Sequence, residues 1–237
     1  MTIQIILVDI NANMVQAWEE TFEAHPEVII QNGSMLDQTA DAWVSPTNSK
    51  GNMDGGLDAV IKKHLGNTIE TRVQSEILSR YNGTMPVGHA TCVETGAANP
   101  KFLISTPTMT ASSQDISDSL NVALACAAAF QAVHMQNDKS PGSIASVAMP
   151  GLGANTGKVP VEICADLMWT GYNLFLEHKF ADFLDMRAAL EEQLGSLGPS
   201  TPTQHHPASG TQPTPQPLSQ PKPPTHKTED LDFDDFE

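Results

Sequence analysis

The chain has 237 residues, and its 12 Lys and Arg against 28 Asp and Glu give a formal net charge of -16. This charge argues against non-specific binding to nucleic acid or to anionic membranes, because both require a positively charged surface. Residues 1–195 are long enough to bury a core without disulfides or a metal. The three cysteines, Cys92, Cys126 and Cys164, show no C-x-x-C spacing. We therefore expect reduced thiols in the core, and neither a metal nor a cofactor.

Short apolar runs alternate with helical patterns along residues 1–195. The runs are typical of strands and lie at residues 3–8, 28–30, 42–44, 89–94, 102–106 and 144–149. Apolar residues recur at helical spacing over residues 14–24, 57–80, 160–176 and 183–194, and from Asp115 or Ser117 to residue 133. The second of these segments has a break near Gly66, and Gly195 is expected to end the last helix. This alternation predicts an α/β fold with helices on both faces of a mostly parallel or mixed sheet.

Two glycine-rich loops each join a predicted strand to a predicted helix. The first follows the strand at 42–44 and has three glycines within residues 51–56, and the second covers residues 150–157 after the strand at 144–149. Glycine-rich loops at helix starts expose backbone N–H groups to anions, and the helix dipole adds about half a positive charge. Ligands of α/β sheets bind beyond the carboxyl ends of the strands. We expect the two loops to face each other across one cleft that binds a phosphate-bearing ligand.

The residues of these loops resemble the signatures of the macro domain family. Val44-Ser-Pro-Thr-Asn48 resembles the family's strand end, Gly55-Gly-Leu-Asp58 its GG-x-D turn, and residues 150–160 its GLGxxxGxxP loop. Residues 86–90 and 102–105 add similar segments, so the resemblance extends over residues 1–180. It implies a three-layer α/β/α sandwich with a mixed, mostly parallel sheet. It also implies binding of ADP-ribose, either free or attached to protein or nucleic acid.

The resemblance implies roles for individual residues. Asn48 matches the family asparagine that reaches the distal ribose, and Gly55 and Gly56 match the turn that approaches this ribose and the diphosphate. Asp58 matches the aspartate that orients or activates water at the anomeric carbon in hydrolase members, so Asp58 and Asn48 are the catalytic candidates. The loop whose amides hold the diphosphate is matched by Gly151, Leu152, Gly153, Ala154, Asn155, Thr156 and Gly157.

The chain departs from the family pattern at two places. Ser34 stands where the family usually has the Asp that binds the adenine amino group, so Ser34 is a candidate ligand residue without charge. Asp9 and Asp37 are alternative acids for that role. The aromatic residue that often stacks on the distal ribose is absent, and Thr156 and Lys158 occupy its region.

Other interpretations of these residues stay open. An acid in the first turn of a helix stabilises the dipole by up to about 1 kcal/mol, so Asp58 can also be only a capping residue. Asn48 can be only a turn residue. For the whole protein, we consider an ADP-ribosyl hydrolase, an ADP-ribose 1″-phosphate phosphatase and a non-catalytic reader of ADP-ribosylated targets. A Rossmann-type enzyme is disfavoured, because no acid follows a GxGxxG motif at the required distance.

Residues 196–237 are predicted to be a Pro-rich disordered tail, because they show no apolar periodicity. The tail ends in an acidic tip, residues 229–237, that includes Phe233 and Phe236. The tip weakly resembles the C-terminal tips of single-stranded-DNA-binding proteins, so it is either a docking peptide for a protein partner or a solvated tail. Asp9 interrupts the N-terminal apolar run, and no segment approaches the roughly 18 apolar residues of a membrane helix. We therefore expect a cytoplasmic protein that does not bind membranes.

Overall fold

The computed structural model describes residues 3–177 and 179–196, and within them one sheet forms the centre of the fold. Its strands are β1 (Gln4–Asp9), β2 (Val28–Asn32), β3 (Ala42–Asn48), β4 (Thr91–Glu94), β5 (Phe102–Met109) and β6 (Ser146–Met149). They lie in the order β2-β1-β6-β3-β5-β4. All neighbouring pairs are parallel except β4 and β5, which are antiparallel. The prediction of a mixed, mostly parallel sheet is confirmed.

The helices of the described residues lie on both faces of this sheet. They are α1 (Ala12–Thr21), α2 (Gly56–Leu65), α3 (Thr68–Tyr81), α4 (Asn121–Lys139), α5 (Val161–Glu177) and α6 (Phe183–Ser196), with a 3₁₀ turn at Met35–Asp37. Residues of α1, α4, α5 and α6 form one apolar cluster with the sheet, and residues of α2 and α3 form the other. The predicted three-layer α/β/α sandwich is confirmed.

The side chains of β1 show why the sheet is covered on both faces. Successive residues of a strand point to opposite faces. Ile5 and Leu7 accordingly pack in the cluster that contains α1, α4 and α5, whereas Ile6 and Val8 pack in the cluster that contains α2 and α3. The four successive apolar residues at 5–8 are therefore buried on both faces of the sheet, which is the usual pattern in parallel sheets.

Some predicted helix boundaries are wrong, and each has a local cause. α4 begins at Asn121 rather than at Asp115 or Ser117. The Asp115 carboxylate instead accepts hydrogen bonds from the N–H and the hydroxyl of Ser117. These two bonds stabilise a turn that precedes the helix. The break near Gly66 is confirmed, and Gly66 has φ +90° between α2 and α3. Gly195 does not end the last helix, because a glycine weakens a helix without excluding the helical conformation.

The predicted tail lies outside the described residues, apart from Ser196 at the end of α6, and so does its acidic tip at 229–237. Among the helices that the structure describes, none has the length and apolarity to cross a membrane. The three cysteines are free thiols, and Cys126 and Cys164 are buried in the core.

Candidate functional site

A cavity of about 650 Å³ lies at the carboxyl ends of five neighbouring parallel strands. Its lining comes from residues at or after the ends of β2, β1, β6, β3 and β5. Since neighbouring strands are about 4.8 Å apart, five strand ends span roughly 19 Å. The volume is typical of a small-molecule site, and the position is where ligands bind in open α/β sheets.

Both glycine-rich loops line this one cavity, as the strand–loop–helix pattern predicts. β6 is the middle strand of the five, so the loop at 151–157 lies at the centre of the cavity. The β1/β2 end lies on one side of it, and the β3/β5 end lies on the other. The predicted site residues that line the cavity are Ser34, Asn48, Gly55, Gly56, Asp58, Gly151, Gly153, Asn155, Thr156 and Gly157.

Two predicted site residues of the second loop face the core instead. Leu152 is fully buried in the apolar cluster on the α4 and α5 face, and its carbonyl accepts a hydrogen bond from the Cys164 thiol at 3.1 Å. Ala154 packs against the same cluster. Their side chains anchor the loop, so any contribution to the cavity comes from their backbone.

Most backbone N–H groups of the second loop have no partner among the described residues. Gly151 N–H donates to Asp9 Oδ2 at 3.1 Å, which fixes the start of the loop. The N–H groups of residues 152–157 donate to none of the described residues. Gly153 has φ +78°, and a Cβ there would lie 2.9 Å from Ile116 Cδ1, so a side chain is excluded on both grounds. Consecutive free N–H groups in a glycine-rich turn form an anion-binding concavity.

The N-terminus of α2 supplies a second group of N–H donors. Gly55 is the N-cap and has no side chain to accept from these groups, and Gly56 has φ +57°. The first N–H groups of a helix have no partner inside it. Together with the helix dipole, they favour a negative group at the β3/β5 end of the cavity.

Asp58 lies in the first turn of α2 and is only 8 % exposed. Burial raises its pKa to about 7, the nearby charges of Asp54 and Glu70 also raise it, and a hydrogen bond from Ser45 opposes them. The Ser45 hydroxyl, fully buried on β3, donates to Asp58 Oδ1. A carboxyl group with this pKa exchanges its proton near neutral pH, which suits a general acid or base.

Asn48 both shapes the first loop and lines the cavity. Its Oδ1 accepts from the N–H groups of Lys50 at 3.0 Å and Asn52 at 3.3 Å, and its Nδ2 donates to the Asn52 carbonyl at 3.1 Å. The Asn48 side chain therefore stabilises the turn at residues 48–52. An amide nitrogen has two hydrogens, so one donor is left for a ligand.

Helix α3 fixes the same loop from outside the cavity. Glu70 accepts from the Met53 N–H at 2.7 Å and from Lys62 Nζ at 2.6 Å. Gln74 Nε2 donates to Asn52 Oδ1 at 3.1 Å. Sequence reasoning did not identify these contacts, because nothing in the spacing of α3 indicates which loop it touches.

At the β1/β2 end, the structure distinguishes between the residues considered for base recognition. Ser34 Oγ accepts from the Leu36 N–H at 3.1 Å and caps the 3₁₀ turn, while its own O–H can still donate. Asp9 lines the cavity, whereas Asp37 is exposed and lies outside the lining. Lys158 also lies outside the lining, and its amino group is 3.3 Å from Asp115.

Part of the cavity was missed by sequence reasoning. β5 continues past the predicted end at Thr106 to Met109, and this segment adds four residues to the lining, namely Met109 and the polar residues Thr108, Ser112 and Ser113. A proline such as Pro107 argues against a strand interior, so no local pattern indicated this extension. The ionisable side chains among the described lining residues are three carboxylates, Asp9, Asp54 and Asp58.

The fold and the cavity define an α/β protein with a cleft at the strand ends into which two glycine-rich loops open. The family model described as "Macro domain" matches residues 44–168, which is more than half of the chain. The chain belongs to the macro domain family, and the predicted resemblance is confirmed.

The chain is also similar to other proteins and to solved structures. An uncharacterized protein of Aquifex aeolicus is 33% identical over 142 residues, which cover 60% of this chain and 78% of the relative. An uncharacterized protein of Aeropyrum pernix is 26% identical over 183 residues, covering 73% and 90%. The macrodomain of Mycobacterium tuberculosis DarG has a TM-score of 0.51 at 21% identity, covering 63% and 91%. The Oceanobacillus iheyensis macrodomain with ADP has a TM-score of 0.50 at 16% identity, covering 69% and 90%. At these identities the two structures show a shared fold.

Proposed function

We propose that this protein binds ADP-ribose, free or attached to a protein or nucleic acid, and hydrolyses the bond at its distal ribose. The observation that carries this proposal is the row of free N–H groups at residues 152–157, placed at the middle of the cavity between two polar ends. ADP-ribose has the same order of parts, because its diphosphate joins two ribose-bearing ends. The ADP in the Oceanobacillus iheyensis macrodomain supports the assignment by fold.

In this arrangement, the loop at 151–157 holds the diphosphate. Among the described residues, no Lys, Arg or His side chain lines the cavity. Backbone N–H groups and the N-terminus of α2 therefore neutralise the charge of the diphosphate. The adenosine occupies the β1/β2 end beside Asp9 and Ser34. The distal ribose occupies the β3/β5 end beside Asn48 and Asp58.

The hydrolytic step uses Asp58 as the general base. Its carboxylate takes a proton from a water molecule, whose oxygen forms a bond to the anomeric carbon. The bond from that carbon to the attached group breaks, and the leaving group takes up a proton. Ser45 occupies Oδ1, which leaves Oδ2 for the water. The contribution of the protein is positioning and proton transfer.

A second candidate is a non-catalytic reader of ADP-ribosylated targets. It is favoured by the burial of Asp58 and its hydrogen bond from Ser45, since an acid that only stabilises the start of α2 would show the same contacts. In this function, the tip at 229–237 recruits a protein partner.

Calorimetry with ADP-ribose tests binding directly. Absence of heat at millimolar ligand, with the fold intact by circular dichroism, would contradict both functions. Turnover is then measured on ADP-ribosylated protein, ADP-ribosylated nucleic acid and ADP-ribose 1″-phosphate. The hydrolase requires turnover of at least one substrate, and Asp58→Asn must abolish it while ADP-ribose still binds. Binding without any turnover supports the reader, and loss of a captured protein on deletion of 229–237 supports its recruiting role.

A further inference from the structure

The carbonyl groups of the second glycine-rich loop are held by hydrogen bonds within the protein. Those of residues 153, 155 and 157 accept from backbone N–H groups at 3.2, 3.2 and 3.0 Å. The carbonyl of Leu152 differs, because it accepts from a side chain, the thiol of Cys164 on α5, at 3.1 Å. The conformation of the loop therefore depends at this point on a side chain that can be replaced.

The hydrogen bond from Cys164 sets the direction of the next N–H group along the chain. The peptide bond between Leu152 and Gly153 is trans, since the one cis peptide bond of the described residues is Asn99–Pro100. In a trans peptide unit, the C=O of one residue and the N–H of the next point in opposite directions. Because the Leu152 C=O points toward α5, the Gly153 N–H points away from α5, and Gly153 belongs to the cavity lining. This N–H has no partner among the described residues.

Glycine at position 153 makes the orientation of this peptide unit easy to reverse. A half-turn of the unit changes ψ of Leu152 and φ of Gly153, and glycine adopts φ of either sign at little cost. The reversed unit would direct a carbonyl oxygen, instead of an N–H, toward the cavity. A carbonyl oxygen repels a phosphate, so a restraint on the Leu152 carbonyl determines whether this position attracts or repels an anion.

We propose that Cys164 is a positioning residue, whose thiol holds the Leu152–Gly153 peptide unit so that the Gly153 N–H is available to the diphosphate. The inference rests on the proposed binding of ADP-ribose, and it adds a residue that acts on the ligand only through the backbone. Cys164 is fully buried, and burial raises the pKa of its thiol to about 12. The thiol therefore keeps the proton that it donates to Leu152 at neutral pH.

Cys126 provides a matched control for this proposal. It lies on α4, is 1 % exposed, and donates its thiol proton to the carbonyl of Met168 at 3.3 Å. Met168 belongs to α5, and neither residue lines the cavity. Cys126→Ala and Cys164→Ala each remove one buried sulfur and one hydrogen bond from a thiol to a carbonyl, so they should lower the melting temperature by similar amounts. Of the two variants, only Cys164→Ala releases a carbonyl of the loop.

The experiment is calorimetry of the full chain with ADP-ribose and with ADP, because both ligands contain the diphosphate. Cys164→Ala should bind each ligand about two- to tenfold more weakly than the wild type. Cys126→Ala should bind both ligands as the wild type does. Cys164→Ser should recover most of the affinity, because its hydroxyl can donate to the Leu152 carbonyl. Cys164→Val, which also lacks a donor, is the second variant if alanine at this position prevents folding.

Three results would overturn the inference. In the first, Cys164→Ala, or Cys164→Val in its place, binds both ligands as tightly as the wild type. In the second, Cys126→Ala weakens binding as much as Cys164→Ala does, which attributes the effect to a general loosening of the core. In the third, Cys164→Ser binds no better than Cys164→Ala. If the wild type binds neither ligand, the proposed function itself fails and the inference fails with it, so the wild-type measurement distinguishes the two failures.

Discussion

Replacing Asp58 by Asn removes a carboxyl group that burial keeps protonated up to about pH 7, and this should change how stability depends on pH. The ordinary pKa of this carboxyl is 3.8, and burial in the folded protein raises its pKa to about 7. Each pKa unit corresponds to about 1.4 kcal/mol, so the difference amounts to about 4 kcal/mol. Asn has a similar shape, and its side-chain oxygen can still accept from Ser45.

The sign of the effect follows from which state releases the proton first. Below pH 3.8, Asp58 is neutral in both the folded and the unfolded state. Between pH 3.8 and 7, the unfolded state loses this proton while the folded state keeps it, so rising pH favours unfolding. Above pH 7 both states are ionised, and the loss is complete. The wild type therefore loses this stability as the pH rises, whereas Asp58→Asn does not.

Urea denaturation of the wild type and of Asp58→Asn at pH 5 and pH 8 measures this effect. The free energy of unfolding of the variant, relative to that of the wild type, should rise by about 3 kcal/mol between the two pH values. Comparing two pH values removes any constant effect of the substitution. The exposed residue Asp37 provides a control, Asp37→Asn, for which the change should be much smaller. A relative stability of Asp58→Asn that does not change with pH would refute the argument from burial.

Three further predictions concern the site. If Asp58 is the general base, turnover should increase as the pH rises, with an apparent pKa of about 7. A rate that is constant from pH 5 to pH 9 would contradict this role. Gly153→Ala should reduce stability by at least about 1–2 kcal/mol and weaken ADP-ribose binding; Gly33→Ala, with nothing within 4 Å of its Cβ, is the matched control for stability in thermal unfolding. Glu70→Ala should weaken ADP-ribose binding and cost about 1–3 kcal/mol in urea denaturation, because it releases the first loop. Glu76→Ala is the control: it removes a surface ion pair with Arg80 and should change stability by less than about 0.5 kcal/mol. Equal losses of stability in Glu70→Ala and Glu76→Ala would contradict the role of Glu70 in holding the first loop.

The parts of the molecule that sequence reasoning predicted well depend on neighbours in the chain. Alternating apolar runs and helical spacing predicted the sheet and its helices, because these patterns are local. The glycine loops were recognisable for the same reason, since a strand, several glycines and a helix start lie within about 15 residues of each other. The wrong start of α4 has a local origin as well, because Asp115 forms a turn where a cap was expected.

The sequence by itself determined the α/β architecture, the two glycine loops and the membership of the macro domain family, because residues close in the chain carry these properties. The tertiary structure decided the properties of the site. The pKa of Asp58 is set first by burial, then by Ser45 on β3, and then by Asp54 and by Glu70 on α3. The shift of register between Thr47 and Asn48 depends on the pairing of β3 with β5. Both effects depend on how separate strands and helices pack against each other, and no pattern of residue types in the sequence records that packing.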